Sequence, residues 1–331
     1  MGAFFSRGFS PEKDIPDLTG KVVLVTGGNS GIGYAIIRHL ARHGAKVYMA
    51  ARNEQRAKAA IERLQAEGLG PGNGAVLWHK LDLSDLRNVT QAAEEFMKRE
   101  ERLDVLINNA AMLLVPYIKS HDGIQDIVMV NYIGPCSFTR ALLPLLKTTA
   151  QEPNSDVRVV YLNSARHYHC STDVRFRNID DLNRDFEDTS LPQLLRYSYT
   201  KIMQLLFVRE LQRRLDEEGA PILLIAVDPG EVNTEGVQAY ASSVGPLLAP
   251  LYKLIADLTF TTPTKGAYGP VFAAASPVPR AAPNAYRGAY LKPPGVLVKA
   301  NPLADREDLQ QELWETTDGF LKGLGLVLPE A

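Results

Sequence analysis

Hydrophobic and polar positions follow two alternating periods along this chain of 331 residues. Short β-branched runs such as KVVLVTG at 21–27 and AKVYMAAR at 45–52 are typical of buried strands. Between them, the segment GYAIIRHLARHG at 33–44 repeats its apolar residues every three or four positions and ends at Gly44, which predicts an amphipathic helix. The pattern therefore predicts a strand, a helix and a second strand.

The same order of elements continues along the chain. Strands are predicted in GAVLWHKLDL, LDVLINNAA, DVRVVYLNS and PILLIAVDPG, and helices in EQRAKAAIERLQAEG, DLRNVTQAAEEFMKRE, IQDIVMVNYIGPCSFTRALLPLLKT and a segment from about Leu195. Strands that alternate with helices form parallel sheets with right-handed crossovers. The predicted fold class is therefore α/β, a doubly wound (Rossmann) parallel sheet of six to seven strands with helices on both faces.

No repeat, low-complexity tract or linker divides the chain. We expect an N-terminal arm at 1–20 and a single catalytic domain at 21–331, in which 276–331 forms a C-terminal extension. Within that extension, YRGAYLKPPG is expected to be a last edge strand and REDLQQELWETTDGFLKG a closing helix.

Charge and cysteine content narrow the choice of partner. The 36 lysines and arginines nearly balance the 38 aspartates and glutamates, so the net charge of −2 gives no general reason to bind nucleic acid or an anionic membrane. Cys136 and Cys170 are too few for a disulfide framework and lack zinc-ligand spacing, so we expect no metal, two packing residues and a reducing compartment. The expected partner is a small molecule.

The longest apolar stretch, 244–260, contains two prolines, a lysine and an aspartate, so it does not predict a membrane span. No signal-peptide pattern opens the chain. Met1, Gly2 and Ser6 match the loose pattern for N-myristoylation, which a flexible terminus also matches by chance. We therefore expect a soluble, cytoplasmic protein.

The first predicted strand runs directly into the glycine-rich turn TGGNSGIG. Glycine permits a tight turn and the close approach of a phosphate, and the start of the following helix supplies free N–H groups. The turn therefore predicts a pyrophosphate site, although its spacing differs from G-x-G-x-x-G and a structural turn could use the same glycines. The candidate contacts are Gly27, Asn29, Ser30, Gly31, Ile32 and Gly33.

The second predicted strand ends in AARN, with Arg52 where NAD-binding folds usually carry a carboxylate for the ribose 2′-hydroxyl. A guanidinium can pair with a 2′-phosphate, which a carboxylate would repel. Arg52 therefore predicts NADP(H) in preference to NAD(H). The alternative is a solvated surface arginine.

The segment RYSYTK places Tyr197 and Tyr199 shortly before Lys201. Residues four apart share one face of a helix, whereas residues two apart do not, so Lys201 is expected beside Tyr197. A neighbouring ammonium would lower the pKa of that phenol from about 10 and make it usable in proton transfer. Taken alone, the pair could equally be a surface cation beside a packed aromatic.

Over about residues 18–275 these motifs together resemble the short-chain dehydrogenase/reductase family. The matching segments are the turn TGGNSGIG, NNAA after the fourth strand, LNSA, YSYTK and DPGEVNT. One departure is Ala111, which stands where the fourth-strand motif usually has glycine, and its methyl group narrows the space beside the cofactor.

The resemblance implies roles for four residues. Asn131 would maintain a water-linked proton path near Lys201, Ser164 would hold the substrate carbonyl, and Tyr197 would exchange the proton. Lys201 would bind the nicotinamide ribose and tune Tyr197, so both also count as cofactor contacts. The further cofactor contacts that the resemblance implies are Asp82, Leu83, Asn109, Ala110, Pro229, Gly230, Val232 and Thr234.

The insert NIDDLNRDF and the C-terminal segments resemble the retinol-dehydrogenase-like branch of the family, and especially its fungal members. In this family, residues 235–265 would form a mobile substrate lid. Their apolar content suggests a bulky apolar substrate, although the same residues could pack the scaffold or a subunit interface. His167 and His169 follow Ser164 and could orient the substrate, or could be surface or structural residues.

The expected activity is an NADP(H)-dependent interconversion of a ketone or aldehyde with an alcohol. The substrate would be a lipophilic or aromatic, polyketide-like molecule of secondary metabolism. One alternative uses the same site for a non-redox isomerisation or dehydration. Another is a non-catalytic nucleotide sensor, which would have little need for Ser164, Tyr197 and Lys201 together. A dimer through helices flanking the sheet is possible, unless the C-terminal extension covers that surface.

Overall fold

The computed structural model describes residues 8–69, 73–235, 237–238, 257 and 259–330. Its centre is an eight-stranded sheet in the order β3-β2-β1-β4-β5-β6-β7-β8. The strands are β1 Val22–Thr26, β2 Lys46–Ala51, β3 Val76–Lys80, β4 Val105–Asn108, β5 Val157–Leu162, β6 Ile222–Val227, β7 Ala289–Lys292 and β8 Val296–Val298. Strands β1 to β7 pair in parallel, and β8 pairs antiparallel with β7.

Helices cover both faces of the sheet. Their bounds are α1 Pro11–Asp14, α2 Gly31–Arg42, α3 Glu54–Ala66, α4 Leu86–Arg99, α5 Asp126–Val128, α6 Gly134–Ala141, α7 Leu143–Ala150, α8 Ile179–Leu182, α9 Pro192–Glu218, α10 Pro263–Gly266, α11 Tyr268–Ala275, α12 Pro277–Ala281, α13 Pro283–Tyr286 and α14 Glu307–Gly323. The structure also describes 3₁₀ turns at Ala165–His169 and Pro302–Asp305. The predicted α/β class and doubly wound sheet are confirmed.

The central strands β1, β5 and β6 are buried on both faces, so their sequences are apolar except for Thr26 and Arg158. Successive side chains point to opposite faces, so Val22 and Leu24 of β1 belong to one hydrophobic cluster and Val23 and Val25 to the other. The first cluster includes residues of α4, α9 and α14, and the second includes residues of α2, α3 and α11. The two clusters together fix the sheet between its helical layers.

Two local predictions differ from the structure. The long helix predicted near 124–148 is divided, with a π-helical segment at Met129–Ile133 between α5 and α6. Gly134 approaches the carbonyl of Leu83 so closely that a Cβ there would lie 2.5 Å from that oxygen, and Pro135 and Pro144 lack N–H donors. The predicted last edge strand, β7, is also not the edge, because the short β8 pairs with it.

The C-terminal helix α14 packs on α9, where the rings of Phe207 and Trp314 stack with centroids 5.8 Å apart. Among the helices that the structure describes, none has the length and apolarity needed to cross a bilayer. The proposed myristoylation pattern at 1–6 lies outside the described residues, and so does most of the predicted lid at 235–265.

Strand order reverses between β1 and β4, since the chain first builds the sheet through β2 and β3 and then returns to the other side. The loops after β1 and β4 therefore separate in opposite directions and leave a crevice at the carboxyl ends of the strands. Ligands of open α/β sheets bind at such a point.

Candidate active site

A cavity of about 820 Å³ occupies this crevice. Its walls come from the segments that follow β1, β2, β4, β5 and β6, together with the first turns of α9. The lining residues are Gly27, Asn29, Ser30, Gly31, Ile32, Gly33, Arg52, Asn53, Arg56, Asn109, Ala110, Ala111, Leu113, Leu114, Val115, Pro116, Leu162, Asn163, Gln193, Tyr197, Lys201, Pro229, Thr234 and Glu235.

The glycine turn has the shape that a phosphate needs. Gly27 and Gly31 have φ angles of +65° and +55°, which side chains other than glycine rarely adopt. A Cβ on Gly33 would lie 2.4 Å from the carbonyl oxygen of Gly27. The side chain of Ser30 does not cap α2, so the start of this helix faces the cavity with N–H groups available to an anion.

The turn is held by the segment that follows β4. The hydroxyl of Thr26 accepts hydrogen bonds from the backbone N–H groups of Asn109 and Ala110, both at 3.0 Å. The side-chain amide of Asn109 donates to the carbonyls of Thr26 and Gly27 at 2.8 and 3.1 Å. These contacts join two distant segments of the chain into one rigid wall, and Ala111 extends that wall along the cavity.

Arginine side chains line the far end of the cavity. Arg52 follows β2, and Arg56 lies in the first turn of α3. Asn53 caps this helix by accepting a hydrogen bond from the N–H of Arg56 at 2.9 Å. Neither guanidinium forms an ion pair within the parts of the chain that the structure describes, so both remain available to a bound anion. Arg56 was not predicted from the sequence, although it lies only four residues after Arg52.

At the opposite end, α9 presents Tyr197 and Lys201 to the cavity. The Nζ atom of Lys201 lies 5.4 Å from the ring centroid of Tyr197, in agreement with the helical spacing. Tyr199 points away: its ring stacks on Phe176, and its hydroxyl donates a hydrogen bond to the carbonyl of Asp181 at 2.8 Å. Tyr199 is therefore a packing residue.

Burial controls the protonation of both site residues. It raises the pKa of Tyr197 to about 12, and a hydrogen bond with Ser164 only partly opposes that rise. It also lowers the pKa of Lys201 to about 7, against the attraction of the Asp228 carboxylate. The expected lowering of the Tyr197 pKa by Lys201 is thus not seen. Desolvation of Tyr197 is the largest cause, and a lysine with a pKa of about 7 has already lost its charge at the pH where Tyr197 would ionise. The Nζ atom of Lys201 donates to the carbonyl of Leu162 at 2.8 Å and to Gln204 Oε1 at 3.1 Å.

Neither Ser164 nor Asn131 is among the residues that line the cavity. Ser164 follows β5, and its backbone N–H donates to Asn163 Oδ1 at 2.8 Å. Asn131 is fully buried in the π-helical segment. Its side chain accepts from the N–H of Met112 at 2.6 Å and donates to Thr200 Oγ1 at 3.1 Å. Asn131 thus connects the segment after β4 to α9.

The other predicted cofactor contacts divide into two groups. Pro229 and Thr234 line the cavity, and so do the residues of the glycine turn and of the segment after β4. The cavity lining does not include Asp82, Leu83, Gly230 or Val232. The carboxylate of Asp82 accepts hydrogen bonds from the N–H and the hydroxyl of Ser84. Leu83, Val232 and Gly230 shape the scaffold instead, Gly230 through its φ angle of +79°. Cofactor contact by these four residues stays a prediction.

The two histidines after Ser164 have different environments. His167 is fully buried, contacts the carbonyl of Ser164 through Nδ1 at 2.7 Å, and packs against Tyr290. Burial lowers its pKa to about 4. His169 is exposed, and neither side chain lines the cavity. The positions favour the structural and surface interpretations over a role in orienting the substrate.

The cavity that contains Tyr197 also has an apolar wall, which no sequence motif predicted. Leu113, Leu114, Val115 and Pro116 follow β4 and line the cavity. Gln193 lies one turn before Tyr197 on the same face of α9 and adds a polar group. The four apolar residues were not predicted because a loop carries no periodicity. Gln193 was also not predicted, although its helical spacing from Tyr197 was a usable signal.

Comparison with known proteins agrees with this geometry. The family model described as short chain dehydrogenase matches residues 21–165. A short-chain dehydrogenase/reductase of Armillaria gallica is 43% identical over 94% of this chain and 96% of that protein. The chain belongs to the short-chain dehydrogenase/reductase family. Human retinol dehydrogenase 14 is 35% identical to it over 92% of this chain and 88% of its own length, in agreement with the resemblance to the retinol-dehydrogenase-like branch.

Among solved structures, an uncharacterized protein from Mycobacterium paratuberculosis matches this family member with a TM-score of 0.69. It is 28% identical, and the match covers 95% of this chain and 98% of the other. The protein is therefore an oxidoreductase of a family that binds NAD(H) or NADP(H).

Proposed function

We propose that this protein is an NADP(H)-dependent oxidoreductase that interconverts a ketone or aldehyde with an alcohol on an apolar small molecule. The supporting observation is one continuous cavity that is lined by the glycine turn and Arg52 at one end and by Tyr197 and Lys201 at the other. Such a cavity can hold a dinucleotide and a second molecule beside its reactive end.

The residues at the nucleotide end suit NADP(H). The turn from Gly27 to Gly33 and the start of α2 would hold the pyrophosphate, and Arg52 and Arg56 would pair with the 2′-phosphate. Lys201 and Pro229 would lie near the nicotinamide end. When bound, the nicotinamide supplies or accepts the hydride.

Proton exchange would be the task of Tyr197. With a pKa of about 12 the phenol keeps its proton near neutral pH, so it is ready to protonate the oxygen that forms when a carbonyl is reduced. The hydroxyl of Ser164, whose interaction with Tyr197 partly opposes the rise in its pKa, would stabilise the negative charge that develops on that oxygen. Oxidation of an alcohol would use the same proton transfer in reverse, from the substrate hydroxyl to Tyr197.

The apolar wall supports a lipophilic substrate. Leu113, Leu114, Val115 and Pro116 offer hydrocarbon surface next to Tyr197, and burial of such surface favours an apolar partner. The name of the human relative, retinol dehydrogenase, is consistent with this class of substrate. We retain the cytoplasm as the proposed location and a dimer as a possible assembly.

A panel of aliphatic and aromatic aldehydes and ketones, assayed with NADPH and with NADH, tests the proposal. We expect one equivalent of NADPH to be oxidised for each alcohol formed, and a lower KM for NADPH than for NADH. Conversion of a compound without net NADPH oxidation would indicate an isomerase or dehydratase instead. A lower KM for NADH would contradict the proposed role of the arginines.

A further inference from the structure

Gln204 lies at the centre of a buried hydrogen-bond network beneath the site. It is on α9, three residues after Lys201, and only 2% of it is exposed. Its Nε2 donates to the carbonyl of Asn131 at 2.7 Å, while its Oε1 accepts from Lys201 Nζ and from Asn163 Nδ2, both at 3.1 Å. One side-chain amide thus joins the π-helical segment, the end of β5 and the site lysine.

We propose that Gln204 is a positioning residue for Lys201, spanning the space between the Asn131 carbonyl and the ammonium and holding that ammonium charged and oriented below Tyr197. This inference rests on the proposed function, since it concerns how the same site works. It assigns a role to a position that lies outside the Tyr-x-x-x-Lys motif.

The ammonium of Lys201 needs acceptors in fixed positions if its N–H donors are to be oriented. An ammonium has three N–H donors and no acceptor. One N–H donates to the carbonyl of Leu162 and another to Gln204 Oε1, which leaves the third for the side that faces Tyr197 and the cavity. Because both acceptors are parts of the buried scaffold, the direction of the third N–H is set by the fold.

Gln204 also links the lysine to the serine segment. Asn163, which donates to Gln204, donates in addition to the carbonyl of Lys201 at 2.9 Å and accepts from the N–H of Ser164 at 2.8 Å. The amide side chains of Asn163 and Gln204 therefore fix the relative positions of the lysine and the serine.

Few charged groups surround Lys201, so a change at Gln204 can shift the pKa of this lysine. The Asp228 carboxylate, after β6, is the one charge that acts on the lysine in the described part of the site. Asp228 is itself tied to the N–H of Ala165 and to the hydroxyl of Tyr290. Tyr197 lies above the lysine, and Arg166 acts on Tyr197. Leu162, Asn163, Asn131 and Thr200 contribute only neutral groups.

The sign of the effect follows from which form of the lysine each substitution favours. Gln204→Met keeps the length of the side chain and removes the acceptor. The neutral amine of Lys201 then becomes more stable relative to the ammonium, and the lysine pKa falls. Gln204→Glu adds a carboxylate, which stabilises the ammonium of Lys201, so the lysine pKa rises. If the ammonium is the working form, the alkaline limb of the activity profile moves to lower pH in the first variant and to higher pH in the second.

The experiment measures two quantities from about pH 5.5 to 9.5. The first is kcat/KM with NADPH and the carbonyl compound that the wild type reduces fastest in the panel. The second is the dissociation constant of NADPH from its fluorescence. For Gln204→Met we expect the ratio of kcat/KM at pH 8.5 to that at pH 6 to fall about fivefold relative to wild type. A lysine pKa that falls from about 7 to about 6 lowers the ammonium population about tenfold at pH 8.5 and about twofold at pH 6.

The matched control is Gln212→Met. Gln212 lies on the same helix, is 3% exposed, and uses its amide to accept from the N–H of Leu224 and to donate to the carbonyl of Ile222. Its substitution removes a comparable buried network far from Lys201, so it should lower the melting temperature and leave both pH profiles in place.

Opposite shifts in the Met and Glu variants at position 204, with none in the control, would support the proposal. Shifts in the same direction, no shift, or an equal shift in Gln212→Met would overturn it. Should the wild type reduce none of the panel, the proposed function fails on that result alone. The pH dependence of NADPH binding, judged by the same criteria, then supports or overturns the role of Gln204.

Discussion

The two ends of the cavity are built in opposite ways. At the nucleotide end, formed by the turn Gly27–Gly33 with Arg52 and Arg56, backbone geometry and exposed guanidinium groups provide the binding surface. At the opposite, proposed catalytic end, formed by Tyr197 and Lys201, both side chains are buried and their pKa values are shifted by the surroundings. One end depends on short segments of the chain, and the other on contacts between distant ones.

This difference indicates which kinds of substitution should impair each end of the cavity. A phosphate cradle fails when a side chain fills it or a cation is removed, and its loss weakens binding. A buried pair of titratable groups fails when a hydrogen-bond partner changes, and its loss changes rate and pH dependence more than affinity. Substitutions at the two ends should therefore separate NADPH binding from turnover.

The largest effect is expected from Tyr197→Phe at the catalytic end. The variant keeps the ring and loses the proton donor, so kcat should fall by about 10² to 10⁴ while the dissociation constant of NADPH stays nearly unchanged. Steady-state kinetics and fluorescence titration measure the two quantities. Tyr199→Phe is the control: it loses a hydrogen bond to Asp181 and should cost about 1 kcal/mol of stability with little change in kcat. Turnover that persists in Tyr197→Phe would refute the assignment.

A smaller effect is expected from Gly33→Ala at the nucleotide end. Its Cβ would lie 2.4 Å from the Gly27 carbonyl oxygen and 2.5 Å from Asn109 Nδ2, so the turn must shift. We expect at least about a tenfold weaker affinity for NADPH, measured by fluorescence, corresponding to about 1.4 kcal/mol. Gly319→Ala is the control, because a Cβ there meets nothing within 4 Å and should stabilise α14 by up to about 1 kcal/mol. Unchanged affinity in Gly33→Ala would show that the turn does not hold the cofactor.

The most selective effect is expected from Arg52→Ala. Loss of a charge-assisted contact with the 2′-phosphate should weaken NADPH binding about tenfold and leave NADH binding unchanged, because NADH lacks that phosphate. Arg56→Ala should act in the same direction, and the double variant should bind both cofactors alike. Equal losses for NADPH and NADH would instead indicate a general effect on the fold.

Local patterns were sufficient for much of the fold. The runs of β1, β5 and β6, which are apolar except for Thr26 and Arg158, and the amphipathic period of α2 are visible without any tertiary information. Two features were missed for physical reasons. Strand β8 has three residues and pairs only because β7 presents a free edge, and the π-helical segment reflects the close contact of Gly134 with Leu83.

The candidate site shows the same division. The motifs around Gly27, Arg52, Tyr197 and Lys201 could be identified from the sequence, because each motif is a short segment with its own geometry. The apolar wall after Ala111 could not be predicted, because its members are ordinary loop residues that acquire a role only by lining the same cavity as Tyr197.

By itself, the sequence determined the α/β class, the glycine turn at the end of β1 and the choice of Tyr197 over Tyr199, since strand and helix periods act over a few residues. Tertiary structure alone decided the protonation of the site. It buries Tyr197, so its pKa rises although a lysine is nearby, and it turns the ammonium of Lys201 towards Leu162 and Gln204. Desolvation and hydrogen-bond partners depend on what the whole chain packs around a group, and no local pattern contains that information.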